Sequence, residues 1–450
     1  MRIQTINKMN VLFVSLGCDK NLVDSEHMLG DLTDQGFNIC DNEEDADIIV
    51  VNTCSFIADA MEESIQTIID LGTYKENGRL KGLIVSGCLA QRFTDEILED
   101  LPEVDAIIGT NSYDELVNAI NIVLEKNDIK PIFKKELVGL PRNGRRVLTT
   151  GGHYAYLKIA EGCNKRCTYC IIPYIRGDYR SVPMEELIDE AKQLAEGGVK
   201  ELILVAQETT VYGMDIYGSK SLPKLLHNLC AIDGIEWIRI LYAYPEEITD
   251  DLIECMATEP KICHYIDMPI QHCNDEILKM MGRKTNKADI KNIAAKLKKA
   301  MPDISLRTTL ICGFPGETGE MHKELLEFIK DMSFDRLGAF AYSKEDGTVA
   351  ATWDNQVDDE LKKQWVDEVM LCQKDISTNN NKQYVGRTLK AFVEGKLPED
   401  GVFIGRTYRD TPSVDGFIFI NSDIELFSGQ FVDVEVTGFD EYDLIGDVKL

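Results

Sequence analysis

The chain is short of positive charge: 48 Lys and Arg stand against 77 Asp and Glu, a formal charge of −29 over 450 residues. Affinity for nucleic acid comes largely from Lys and Arg displacing the counterions of phosphate, so general nucleic-acid binding is disfavoured. Long apolar runs are scarce as well. Nothing approaches the roughly 18 consecutive apolar residues of a transmembrane helix, and residues 1–10 carry Arg2 and Lys8 without the apolar core of a secretory signal. Ser15-Leu16-Gly17-Cys18 is close to a lipoprotein cleavage box, but the apolar run before it, 11–14, is too short to engage a membrane. Low-complexity tracts are absent, and 44% hydrophobic with 28% charged residues is an ordinary globular composition, which excludes disordered and collagen-like classes. With no secretory leader expected, the thirteen cysteines are not expected to form a disulfide framework. The sequence reads as cytoplasmic, where clustered cysteines signal metal binding or catalysis.

Three units are expected from the length and from shifts in pattern, at 9–140, 141–381 and 382–450. The first alternates short apolar runs (11–14, 47–51, 83–85) with amphipathic helical stretches (21–35, 58–71), a parallel βαβ domain. The second repeats this in longer units, with strands expected at 155–160, 201–206, 237–242, 265–268, 305–311 and 336–342. Six βα units predict a partial (βα)6 TIM-like barrel with its chemistry at the C-terminal strand ends. The third, after a polar helical stretch at 358–381, has short alternating runs such as 417–420 and 431–436, a small antiparallel β-barrel. The overall class is α/β. Net charges of −15 over 1–140, −8 over 141–381 and −6 over 382–450 make all three parts acidic, the opposite of what a barrel gripping RNA requires.

Cys18, Cys54 and Cys88 each follow an apolar strand and precede a helix, as Gly17-Cys18, Thr53-Cys54 and Gly87-Cys88. In a parallel sheet such strand ends share one edge, so three cysteines spread over seventy positions can meet there. By themselves they could hold zinc, an iron–sulfur cluster or nothing. The more specific signal is Cys163-Asn164-Lys165-Arg166-Cys167-Thr168-Tyr169-Cys170, a CxxxCxxC loop after the first barrel strand. Three thiolates from one loop can hold three irons of a 4Fe–4S cluster and leave the fourth open to a small ligand. Neither a fourth Cys or His at zinc-site spacing nor a ferredoxin Cys-Pro follows.

This loop resembles that of the radical S-adenosylmethionine (SAM) superfamily. The resemblance implies that SAM chelates the open iron and is cleaved to a 5′-deoxyadenosyl radical, hydrogen abstraction from an unactivated C–H bond being beyond side-chain acids and bases. The strings around Cys18, Cys54 and Cys88 (Ser15 through Glu26, Asn52-Thr53-Cys54-Ser55-Phe56-Ile57, Gly87-Cys88-Leu89-Ala90-Gln91-Arg92) resemble the methylthiotransferase family. That likeness implies a second 4Fe–4S cluster on Cys18, Cys54 and Cys88 and identifies the last unit as a TRAM domain. Lys20-Asn21-Leu22-Val23-Asp24-Ser25-Glu26, Cys170-Ile171-Ile172-Pro173 with Arg176-Gly177, 205–210, and Met280-Met281-Gly282-Arg283 resemble the branch that methylthiolates the β-carbon of an aspartate in small-subunit ribosomal protein twelve. Asp19 and Ser55 depart from that branch's common proline and glycine, removing no ligand. The sister branch, acting on a modified adenosine in tRNA, is the alternative function, and a non-catalytic iron–sulfur scaffold is a third. Acidic domains suit a basic ribosomal protein and repel tRNA. The implied partners are that protein and an electron-donor protein, with no membrane.

In radical SAM enzymes the region of Gly313-Phe314-Pro315-Gly316-Glu317-Thr318 lines the SAM site, where glycines admit a ligand close to backbone; a tight turn capping a helix is the other reading. Arg307 is a candidate for the SAM or substrate carboxylate, or a structural ion pair. Gln207 and Glu208 are candidates for the SAM amine or ribose, and Tyr169 for packing on the cluster or adenine. His272 is expected to be structural. Among the other cysteines, Cys273 and Cys312 lie near strand ends and the rest read as core thiols.

Overall fold

Residues 9–125, 130–140, 145–151, 153–398 and 401–449 are described in a computed structural model. The leader reading of 1–10 falls mostly outside them. Strands β1 (Asn10–Ser15), β2 (Asn38–Cys40), β3 (Ile48–Thr53), β4 (Gly82–Ser86), β5 (Ala106–Ile108) and β6 (Ile132–Phe133) form a parallel sheet in the order β2-β1-β3-β4-β5-β6. β3 and β4 are buried along their whole length, as central strands covered on both faces must be. Alternate residues divide between the faces. Ile48, Val50 and Ile84 pack on Met28 and Leu32 of the helix Asp19–Asp34 and on Leu116 and Ile120 of Leu116–Leu124. Ile49, Val51, Leu83 and Val85 pack on Ile68 and Leu71 of the helix Ala58–Gly72.

All six strands expected in the second unit are present. After β7 (Tyr154–Lys158) comes a short antiparallel pair, β8 (Ala160–Glu161) and β9 (Arg180–Ser181), then β10 (Glu201–Val205), β11 (Trp237–Ile240), β12 (Ile262–Asp267), β13 (Ser305–Cys312) and β14 (Arg336–Ala341). The parallel order β14-β13-β12-β11-β10-β7 is an open, incomplete barrel. Its core lies between the strands and amphipathic helices such as Met184–Glu196, whose Leu187, Ala191 and Leu194 recur on one face.

β15 (Thr388–Lys396), β16 (Val402–Thr407), β17 (Ile418–Asn421), β18 (Phe431–Phe439) and β19 (Leu444–Val448) close into a barrel in the order β15-β16-β17-β19-β18. Its pairings are antiparallel except that of β17 with β19. The barrel docks at the N-terminal ends of the larger sheet through buried charges. Glu201, the first residue of β10, accepts from Arg239 Nε (2.8 Å) and from Arg406 Nη2 (2.7 Å), and Arg336, the first of β14, donates to Asp410. The opposite, C-terminal edge is left to the cysteine loops.

Candidate metal centres and cofactor site

Cys18, Cys54 and Cys88 follow β1, β3 and β4, three neighbouring strands, so the parallel sheet delivers them to one edge. Local backbone completes the approach. Gly17 has φ +91°, and a Cβ there would lie 2.8 Å from Cys54 Cβ. Gly87 also has φ +91°, its missing Cβ facing Asn52 Oδ1 and the Thr53 backbone. Asn21, fully buried, ties the loops together: its Nδ2 donates to Leu16 O (3.1 Å) and Thr53 O (2.9 Å), while its Oδ1 accepts from Arg176 and lies 3.8 Å from Cys88 Sγ. Cys54 and Cys88 are buried and Cys18 is exposed, so the triad has one open side. Burial, and after it the nearby thiols of Cys88 and Cys18, pushes the Cys54 thiol up to about 12. Burial raises Cys88 also, and the Arg176 guanidinium opposes it. A metal bound here takes thiolates and so displaces the thiol protons.

The second triad occupies the turn between β8 and the helix Ile172–Arg176. Gly162 (φ +80°) turns the chain out of β8 against the Asp178 backbone. Cys163 N–H donates to Gly177 O (3.1 Å), Cys170 N–H to Cys167 O (3.0 Å), and Lys165 N–H points at Cys163 Sγ (3.5 Å). Cys163 and Cys167 are buried and Cys170 is half-buried. Burial pushes Cys163 up to about 11, and burial with the Cys167 charge pushes Cys170 higher. Among the described residues no group of three or more His, Cys, Asp or Glu side chains is already drawn together closely enough to hold a metal ion. By donor chemistry, two all-thiol sets, one with an amide aimed at sulfur, fit an iron–sulfur group.

The segment that follows the Cys163–Cys170 loop reaches the first triad at Cys88. Two residues after Cys170 begins the helix Ile172–Arg176, whose Ile175, with Ile171 before it, packs on Cys88. Arg176 ends it, 2% exposed, donating to Cys88 Sγ (3.3 Å), Asp24 Oδ2 (2.8 Å), Tyr113 Oη (3.0 Å) and Glu161 Oε2 (3.2 Å). Lys158 joins the same two carboxylates, and Arg92 crosses to Glu345 (2.8 Å).

The SAM-site candidates distribute unevenly. Gln207 and Glu208, just beyond β10, lie beside the cysteine loop. Gln207 Nε2 donates to Glu161 Oε1 (2.7 Å), and Glu208 faces Lys165 Nζ at 3.2 Å. Burial outweighs the Lys165 charge and pushes the Glu208 carboxyl up to about 7. Tyr169 packs edge-on against Phe314, ring centroids 6.4 Å apart. Arg307 is the structural ion pair, bound to Asp267 (2.6 Å) and Asp415 (3.3 Å). The glycines of the 313–318 turn make room for side chains of this chain: a Cβ on Gly313 would strike Lys362 and one on Gly316 would strike Asn355. Glu317 closes that turn by accepting from the N–H groups of Gly313 (2.6 Å) and Phe314 (3.1 Å), and Thr318 caps the helix Gly319–Met332. His272 is structural, its Nδ1 accepting from Asn274 N–H (2.9 Å) with Nε2 3.3 Å from Glu317. Cys273 and Cys312 are fully buried thiols raised by burial.

Three family models match: the radical SAM superfamily over residues 157–329, an uncharacterized protein family, UPF0004, over 10–109, and the TRAM domain over 385–448. Among curated proteins the chain is similar to the ribosomal protein uS12 methylthiotransferase RimO of Lachnoclostridium phytofermentans, 58% identical over 97% of this chain and 99% of that one. It is also similar to those of Acetivibrio thermocellus (49%; 98% of each) and Clostridioides difficile (46%; 98% and 99%). The chain belongs to the RimO family. Its radical SAM fold is shared with solved structures of the methyltransferase TsrM from Kitasatospora setae (TM-score 0.56, 13% identity, 88% of this chain and 80% of that one) and of OxsB (0.55, 14%, 82% and 57%).

Several residues around the triads of this RimO-family chain were missed by sequence reasoning. Asn21, Asp24, Lys158, Glu161 and Arg176 form a buried cluster beside Cys88; Asn21, Asp24 and Arg176 stand out in the sequence only as members of the strings that carry the family resemblance, and Lys158 and Glu161 carry no signal there. Arg283 is buried with its guanidinium 4.1 Å from the Tyr244 ring and donates to Pro269 O (2.9 Å). It had stood out only as part of the Met280-Met281-Gly282-Arg283 string.

Proposed function

We propose that this chain is a radical SAM methylthiotransferase that adds a methylthio group to the β-carbon of an aspartate in ribosomal protein uS12, using two 4Fe–4S clusters and two SAM molecules. Cys163, Cys167 and Cys170 hold the cluster that, with SAM bound, supplies the radical chemistry for hydrogen abstraction. Cys18, Cys54 and Cys88 hold the second, next to which sulfur is methylated and delivered. The observation that supports the reading is the contact of the segment following the Cys163–Cys170 loop with the first triad, Ile171 and Ile175 packing on Cys88 and Arg176 donating to its Sγ (3.3 Å). Glu208, paired with Lys165 beside the loop, is the carboxylate that would bind the SAM amine. The uniformly acidic units favour a basic ribosomal protein over tRNA, and an electron-donor protein completes the reaction. We assign the segments 9–140, 141–381 and 382–450 to the second cluster, the radical chemistry and the TRAM module, acting in the cytoplasm.

Anaerobically reconstituted enzyme, reductant and SAM are expected to add one methylthio mass to one aspartate of uS12 and none to tRNA. Replacing Cys163, Cys167 and Cys170 by Ala is expected to abolish 5′-deoxyadenosine formation. Replacing Cys18, Cys54 and Cys88 is expected to leave SAM cleavage and abolish sulfur insertion. Deoxyadenosine from the first variant would refute the assignment.

A further inference from the structure

Arg176 makes a set of contacts that holding a helix end in place does not require. A buried guanidinium is tolerated only when its donors are matched. Here Nη1 is matched by Asp24, Glu161 and Tyr113, while Nη2 is shared between Asn21 Oδ1 and Cys88 Sγ, the sulfur at 3.3 Å. Lys158 joins both carboxylates, so two cations and two anions balance and the set adds no net charge. The anions fix the plane of the guanidinium, and that plane aims one N–H at a ligand sulfur. Asn21, the other acceptor of Nη2, is the residue that holds the Cys18 and Cys54 loops. Donors to ligand sulfur stabilise the reduced state of an iron–sulfur group and raise its potential.

We propose that Arg176 is a positioning residue that sets the reduction potential of the group on Cys18, Cys54 and Cys88 through its hydrogen bond to Cys88 Sγ. Because Arg176 is carried by the helix that leaves the Cys163–Cys170 loop, the radical-generating half of the molecule thereby sets the electronic state of the sulfur-delivering half. The inference rests on the reading of Cys18, Cys54 and Cys88 as cluster ligands.

Full-length protein carrying Cys163→Ala, Cys167→Ala and Cys170→Ala, reconstituted anaerobically with iron and sulfide, isolates the group in question. Potentiometry monitored by electron paramagnetic resonance is applied to this parent and to Arg176→Gln within it. The expected result is a more negative midpoint in the Gln variant with about four irons per chain in both. Arg176→Lys, which keeps charge but loses the planar fork, is expected to fall between them. An unmoved midpoint in Arg176→Gln overturns the proposal. If the Gln variant does not retain iron, Arg176→Lys decides: a midpoint equal to the parent's, or iron loss there too, overturns it. A parent that assembles no cluster fells the ligand reading and the inference with it, whereas an unmoved potential fells the inference alone.

Discussion

Gly17 and Gly87 each precede a cysteine with φ +91°, and each lacks a Cβ where the Cys54 loop presses closest. A left-handed backbone costs a residue with a Cβ roughly 1–2 kcal/mol, and at Gly17 the added atom would also push the Cys54 side chain away. Gly17→Ala is expected to retain the cluster of the 163–170 loop and lose the other, so that reconstituted iron falls from about eight to about four per chain. A different residue-scale effect concerns Asp31, on the helix Asp19–Asp34. Burial, then the charges of Asp34 and Asp114, raises its carboxyl to about 6 from 3.8. The folded chain therefore holds this proton more tightly than the unfolded chain, and the contribution to stability is greatest below pH 3.8 and falls as pH rises to about 6. Asp31→Asn is expected to flatten that part of the stability–pH curve, measured by denaturant unfolding across the window.

Among the elements, the five-residue helix Ile172–Arg176 has an effect out of proportion to its length. Far too short to be stable alone, it is held by apolar contact with Cys88 and by the ions at its end. Breaking a buried ion set by removing one partner typically costs about 3–5 kcal/mol. Lys158→Ala, which strips one cation from Asp24 and Glu161, is expected to lower the thermal midpoint clearly, whereas Lys363→Ala at an exposed pair with Glu360 leaves it where it was. This helix was not legible beforehand: five residues opening with Ile172-Pro173 carry no periodicity, and their partners lie up to 155 positions away. The strands were legible because parallel, doubly covered strands such as Ile48–Thr53 are continuous apolar runs. Their cysteines followed from topology alone, since every strand end in such a sheet lies on the same edge. Arg307 shows the limit of that reasoning: position on a strand said that it could meet an anion, but only the folded chain supplies Asp267 and Asp415.

At the scale of the whole molecule, an excess of acid in all three units gives a long-range field of one sign. Steering by such fields speeds association of an oppositely charged partner by roughly tenfold to a thousandfold at low ionic strength, and the Debye length shrinks from about 10 Å at 0.1 M salt to about 3 Å at 1 M. Association with uS12, followed by stopped-flow fluorescence, is expected to slow steeply with added salt while dissociation changes little. The same acidity is not spread evenly between surface and interior. Glu201, Asp410 and Asp415 are withdrawn from solvent at the seam between the open barrel and the closed one, where Arg406, Arg239, Arg336 and Arg307 meet them. That seam constrains ancestry. Glu201 and Arg406, 205 positions apart, cannot mutate independently without stranding a buried charge, so they are expected to covary among descendants. A C-terminal barrel acquired by recombination from a relative is then inherited successfully only together with its matching pattern of charges.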